Sequence, residues 1–196
     1  MLDMDIELDE MRLGNKTMKV ITAPEKYIEK PGDVRCFLAG GISNCPEWQQ
    51  EVIERLNQFH VDKNHPNNEL IIFNPRRESF PINDPNVTEE QIAWEFEALN
   101  NCGIFSMYFC NADSDQPICM YELGRYLLNT MNRYWHSWEK RIVISAEDGY
   151  RRQADVKTQV RLATKNDLIV ANGATPKSHA EYIAAAYKSI FERINY

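Results

Sequence analysis

Ile104-Phe105-Ser106-Met107-Tyr108-Phe109 is a short apolar and aromatic run, followed by Asp113, Asp115 and Pro117 and then by Tyr121-Glu122-Leu123-Gly124. A run of this kind, bounded by polar residues, is a strand buried in a sheet. Proline suits the first turn of a helix and aspartate suits its cap, so the pattern predicts a helix from residue 118 to about 130 with Glu122 in its early turns. A strand, an acidic loop and a helix in that order place Glu122 at the C-terminal edge of a parallel sheet, where α/β proteins keep their chemistry. Taken alone, Glu122 is more simply explained by Arg125 three residues on, a pair on a solvated helix face.

The same alternation extends in both directions. Upstream, Arg35-Cys36-Phe37-Leu38-Ala39 is a strand running into Gly40-Gly41, and Pro46 opens a helix on which Trp48, Val52, Leu56 and Phe59 recur at near-helical intervals. Leu70-Ile71-Ile72-Phe73 is a second strand, ending at Asn74-Pro75-Arg76-Arg77. Thr88-Glu89-Glu90-Gln91 has capping-box spacing and predicts a helix that turns Ile92, Phe96 and Leu99 inward. Downstream, Arg141-Ile142-Val143-Ile144-Ser145 is a fourth strand, residues 155 to about 164 a helix, and Asp167-Leu168-Ile169-Val170 a fifth strand. Ser178-His179-Ala180-Glu181 is a second capping box, opening a helix whose Ile183, Tyr187, Ile190, Phe191 and Ile194 share one face. Strand and helix alternating throughout predict a single Rossmann-like or flavodoxin-like α/β domain over residues 17–196, a mainly parallel five-stranded sheet flanked by helices. Residues 1–16 read as a polar extension, and Met18-Lys19-Val20-Ile21 as an added edge strand.

With 196 residues and 43% hydrophobic content, the chain can bury one substantial core. A net charge of −7 without a long basic stretch argues against duplex nucleic acid as a partner and favours small molecules or proteins. No run of eighteen apolar residues occurs and the start is acidic, so the expectation is a cytoplasmic protein without a membrane partner. Cys36, Cys45, Cys102, Cys110 and Cys119 are an odd number at wide spacings, which fits reduced, mostly buried thiols. The cysteines form no Cys-x-x-Cys and the histidines share no ligand spacing, so neither a structural metal nor a cofactor is expected.

Several local motifs have more than one reading. Gly40-Gly41 fits a plain tight turn as well as a ligand cradle, and Gly40-Gly41-Ile42-Ser43 is neither a dinucleotide fingerprint nor a Walker loop. Arg76 and Arg77, with Asn74, fit either a solvated loop or a crevice wall at the end of the second strand. Glu95 and Glu97 lie two apart on a helix, so they cannot point the same way and one of them faces solvent. Asp113 and Asp115 are most simply turn or cap residues.

Taken together, the succession Phe37-Leu38-Ala39-Gly40-Gly41-Ile42, Trp48-Gln49, Phe73-Asn74-Pro75-Arg76-Arg77, Trp94-Glu95, Tyr121-Glu122-Leu123-Gly124 and Tyr150-Arg151-Arg152 through Asp155-Val156 resembles the nucleoside 2-deoxyribosyltransferase-like family over residues 18–170. The resemblance implies that Glu122 is a nucleophile, that Asp113 or Asp115 contacts the leaving base, and that Glu95 or Glu97 helps hold it. It further implies that Asp155 meets a sugar hydroxyl and that the terminal carboxylate on Tyr196 completes the site of a neighbouring subunit in a homo-oligomer. Gly40, Gly41, Trp48, Asn74, Arg76 and Arg77 are the remaining substrate-binding candidates. Two departures stand out. Phe37 occupies the first-strand position where transferases carry a tyrosine, leaving Tyr121 or Tyr126 as substitutes, and Asp155 stands where an amide is commoner.

The chemistry agrees. Breaking an N-glycosidic bond develops positive charge at the anomeric carbon, and a carboxylate on the opposite face can stabilise and capture it. The expected activity is transfer of deoxyribose between bases through a glutamyl intermediate. The rivals are hydrolysis of deoxynucleoside 5′-monophosphates, with Arg76 or Arg77 on the phosphate, and a nucleotide-sensing module without turnover.

Overall fold

The computed structural model describes residues 18–58, 69–79, 84–132 and 141–192. The predicted extension over 1–16, together with Phe59, Ile194 and Tyr196, lies outside them. Six strands, β1 (Met18–Thr22), β2 (Val34–Gly40), β3 (Leu70–Asn74), β4 (Ile104–Phe109), β5 (Arg141–Ala146) and β6 (Ala171–Asn172), form one sheet in the order β1-β3-β2-β4-β5-β6. Every pairing is parallel. Without its edge strand β1 the order is that of flavodoxin-like sheets, so the α/β class holds with six strands in place of five. The helices are α1 (Trp48–Leu56), α2 (Pro85–Asn101), α3 (Pro117–Asn132), α4 (Gln153–Ala163) and α5 (Pro176–Glu192).

Alternation along the strands divides the core into two layers. Cys36, Leu38, Ile72, Ile104 and Tyr108 pack with Trp48, Val52 and Leu56 of α1 and with Ala180, Ile183 and Tyr187 of α5. Phe37, Ala39, Ile71, Phe105, Met107 and Phe109 point the opposite way, against Leu99 of α2, Leu123 and Leu127 of α3, and Val156 and Val160 of α4. In the first layer His179 is fully buried and bridges two strand serines, with Nε2 2.7 Å from Ser106 Oγ and Nδ1 2.8 Å from Ser145 Oγ. Burial pushes its pKa down from 6.5 to about 3, so this imidazole is neutral and structural.

Three local readings are corrected. First, α2 starts at Pro85, a turn before the Thr88 box, because Asp84 accepts from the Asn86 N–H at 2.9 Å and proline loses nothing at the first helical position. Likewise α5 starts at Pro176, where Thr175 and Ser178 exchange the capping bonds, Ser178 N–H to Thr175 Oγ1 at 3.2 Å and Thr175 N–H to Ser178 Oγ at 2.9 Å. Second, residues 168–170 are irregular and the last strand is Ala171–Asn172, paired with Ser145 and Ala146. The reason lies in the end of α4, where the Asp167 and Leu168 N–H groups bond to Thr164 O and Oγ1 and so are withdrawn from a ladder. Third, Ile92 and Phe96 are 60% and 48% exposed, while Gln91, Ala98 and Leu99 form the buried face. That face carries polar residues because it overlies a cavity.

Candidate active site

Strands β2 and β4 are neighbours in the middle of the sheet, with Gly40 in register with Tyr108 at their C-terminal ends. The chain goes from β2 to β3 on one side and returns across β2 to β4 on the other, so the connections leaving these two strands diverge. A cavity of about 330 Å³ opens there. Its walls are Phe37, Ala39, Gly40 and Gly41 from β2 and its turn, Pro75 after β3, Glu95 of α2, Ser114 and Gln116 of the β4–α3 loop, and Ile118, Cys119 and Glu122 of α3.

Two carboxylates face this space. Glu122 is in the second turn of α3; burial, reinforced by the Glu95 charge and opposed by Arg125, lifts its pKa from 4.5 to about 7. Burial also raises Glu95, against a hydrogen bond from Gln91 and the charge of Arg77. Glu95 is held from behind: Gln91 Nε2 donates to Glu95 Oε1 at 2.7 Å and to Pro75 O at 2.8 Å, and Arg77 Nε donates to Gln91 Oε1 at 2.5 Å. Arg77 also bonds Glu90 at 3.0 Å.

The Asn74-Pro75-Arg76-Arg77 segment therefore clamps both sides of the cavity. Asn74 Oδ1 accepts from the Arg76 N–H at 3.1 Å, fixing the turn. Arg76 Nη2 donates to the carbonyls of Ile42, Cys45 and Pro46 at 3.2, 3.3 and 2.7 Å, and its Nε to Gln49 Oε1 at 2.9 Å. It shapes the loop between Gly41 and α1. Trp48 is fully buried beneath that loop and donates from Nε1 to Gly41 O at 2.9 Å. At Gly40 any Cβ would lie 2.4 Å from Tyr108 O and 2.5 Å from the Trp48 ring, so only glycine allows this approach.

The other anticipated acids lie elsewhere. Asp113 and Asp115 are exposed on the β4–α3 loop, 2.9 and 3.5 Å from Arg151, and they are not among the cavity walls. Asp155 is exposed in the first turn of α4, paired with Arg152 at 3.0 Å. Glu97 is exposed and borders a separate depression with Glu25, Lys26 and Trp94. Of the two tyrosines considered in place of Phe37, Tyr121 is 67% exposed and Tyr126 is stacked on Phe105 at 4.1 Å, with its hydroxyl 3.0 Å from Cys102 Sγ. Phe37 itself lines the cavity.

Two participants were not anticipated. Gln116, 3% exposed, lies in the wall where an acid was expected. Its signal was faint, an amide in the cap position ahead of Pro117, hidden among more conspicuous aspartates. Tyr150, stacked on Phe109 at 5.1 Å, donates to Asp115 O at 3.0 Å and so fixes the β4–α3 loop from α4's side.

A family model described as nucleoside 2-deoxyribosyltransferase like matches residues 33–135, just over half of the chain and all of the cavity walls. The chain belongs to the nucleoside 2-deoxyribosyltransferase-like family. None of the curated proteins matches the sequence. Membership in the nucleoside 2-deoxyribosyltransferase-like family supports a glycosyl-transfer or hydrolytic activity on small nucleosides or nucleotides. Among the described residues no helix is long and apolar enough to cross a membrane, and no three His, Cys, Asp or Glu side chains are grouped to hold a metal ion.

Proposed function

We propose that the protein breaks the N-glycosidic bond of a 2′-deoxynucleoside and passes the sugar to a second base. The observation that carries this reading is the pair Glu122 and Glu95 facing one cavity at the divergence of β2 and β4. Glu122 attacks the anomeric carbon as the bond to the base nitrogen breaks, and the bonding electrons leave with the base. Glu95, whose burial favours its neutral form, gives that nitrogen a proton or a strong hydrogen bond. The acceptor base then displaces Glu122 from the sugar, returning the carboxylate, and its own N–H proton passes to Glu95. The Glu95 charge adds to burial in raising the proton affinity of Glu122, so the reaction needs Glu122 ionised while Glu95 keeps a proton.

Nucleosides are favoured over 5′-monophosphates by the arginines. Arg76 and Arg77 direct their donors to loop carbonyls, Gln91 and Glu90, so both act as supports for the cavity in this reading. Asp113, Asp115 and Asp155 act through the loop and ion pairs they anchor.

Incubating the protein with deoxynucleosides and their monophosphates, with and without a free acceptor base, and separating the products tests the proposal. Exchange of bases on nucleosides is the expected result. Release of base from monophosphates alone selects the hydrolase, and binding without product selects the sensor. Glu122→Ala is expected to lose about 10³-fold or more in turnover while remaining folded; a folded variant with near-normal base release excludes the covalent route.

A further inference from the structure

Gln116 stands out because it is buried, under backbone strain and incompletely bonded at once. It is 3% exposed, and its φ of 50° lies in the left-handed region that a side-chain-bearing residue seldom adopts. Such a conformation is disfavoured and is retained where the surroundings impose it, often at functional sites. Its amide nitrogen donates to Cys110 O at 2.7 Å. That bond fixes the amide's orientation, since the reverse assignment would set two carbonyl oxygens against each other. The oxygen Oε1 then lies in the wall against Gly41, buried and with no hydrogen-bond donor. A Cβ at Gly41 would stand only 2.8 Å from that oxygen. Glycine at 41 and the strained backbone at 116 therefore both serve to keep an unpaired acceptor in the cavity wall. Native structures leave few buried acceptors unpaired, and an orphan in a cavity wall is a place for a ligand's donor.

We infer that Gln116 Oε1 accepts a hydrogen bond from an N–H of the departing base and so selects bases that present one. The inference rests on the proposed nucleoside chemistry. An amide keeps one polarity at every pH, unlike the neighbouring carboxylates, so it reads the base without taking up or giving a proton. A base lacking the donor leaves Oε1 unpaired as it is in the free protein, and selectivity comes from the bond that only a donor-bearing base gains.

The test compares a deoxynucleoside that the natural protein cleaves with its counterpart lacking the base N–H. Deoxyadenosine against purine 2′-deoxyriboside serves for an exocyclic amine, and thymidine against 3-methylthymidine for a ring N–H. The natural protein should favour the donor-bearing partner by roughly tenfold to a hundredfold in kcat/KM in at least one pair. Gln116→Met, similar in size but a poor acceptor, should bring that ratio to near one, and Gln116→Glu, which keeps an acceptor oxygen, should retain a preference. Melting curves show whether Gln116→Met is folded. Should it fail to fold, the natural protein and Gln116→Glu still decide through their ratios. A natural protein that cleaves nucleosides with no preference in either pair, or a folded Gln116→Met that keeps the full ratio, overturns the inference alone. A natural protein that neither binds nor cleaves any deoxynucleoside overturns the parent reading instead.

Discussion

At the scale of single residues, Glu122 combines a favourable place for chemistry with an unfavourable place for charge. Its carboxyl titrates at about 7 in the folded chain and 4.5 as its ordinary value, burial being the main cause and Glu95 the second. Between those values the folded state binds more protons than the unfolded, so stability contributed by this group is lost as pH rises from about 4.5 through about 7. Glu122→Gln removes the ionisation. Its unfolding free energy should match that of the natural protein near pH 4.5 and exceed it above pH 7, read from denaturant melts at the two pH values. A constant difference across that range would mean that Glu122 does not carry the raised pKa. The opposite trend is expected for activity in the proposed mechanism, which needs Glu122 ionised: kcat/KM should rise through about pH 7 and fall again once Glu95 has lost the proton it gives the base. Stability and catalysis thus oppose each other at one residue, as is common where function requires a desolvated charge.

At the scale of elements, proline decides where helices begin. In α2 the Asp84 side chain accepts the Asn86 N–H, and Pro85 fills the first position. Asp84→Ala should cost about 1 kcal/mol of stability and Thr88→Ala clearly less, measured by thermal or urea unfolding. A larger loss from Thr88→Ala would restore the box beginning at Thr88 as the principal cap. The start of α2 matters beyond its own stability, because this helix presents Glu95 to the cavity with Gln91 one turn earlier behind it, while Arg77 secures Gln91 from the β3 side. The clamp by Arg76 of the opposite loop completes the frame.

At the scale of the whole molecule, the exposed side chains are informative. Ile92 and Phe96 of α2 and Ile118 and Tyr121 of α3 are large, apolar and open to solvent, and Ile118 also borders the cavity. These favour the homo-oligomer proposed from the family resemblance. Sedimentation should find an oligomer. A fully active monomer excludes an arrangement in which subunits share a site.

The fold was legible in the sequence because its cues are short-range. Apolar runs such as 104–109 and 70–73 are buried on both faces, and alternation with helices leaves few ways to stack them. Glu122 was legible too, since the strand, loop and helix that carry it are contiguous. What sequence could not supply was direction and distance between segments far apart in the chain. The polar face of α2 resembles a solvated face until β2, β3 and α3 close round it, so Ile92 and Phe96 were expected to be inside, Gln91 gave no sign of being covered, and Glu95 was singled out only through the family resemblance and not apart from Glu97. Asp113 and Asp115 carry the stronger charge signal, yet the backbone turns at Gln116 through a positive φ and sends the amide inward while the acids remain with Arg151. Local pattern determined which elements form; only the packing of the sheet decided which polar side chains lost their water, and that loss gives Glu122, Glu95 and Gln116 their distinctive chemistry.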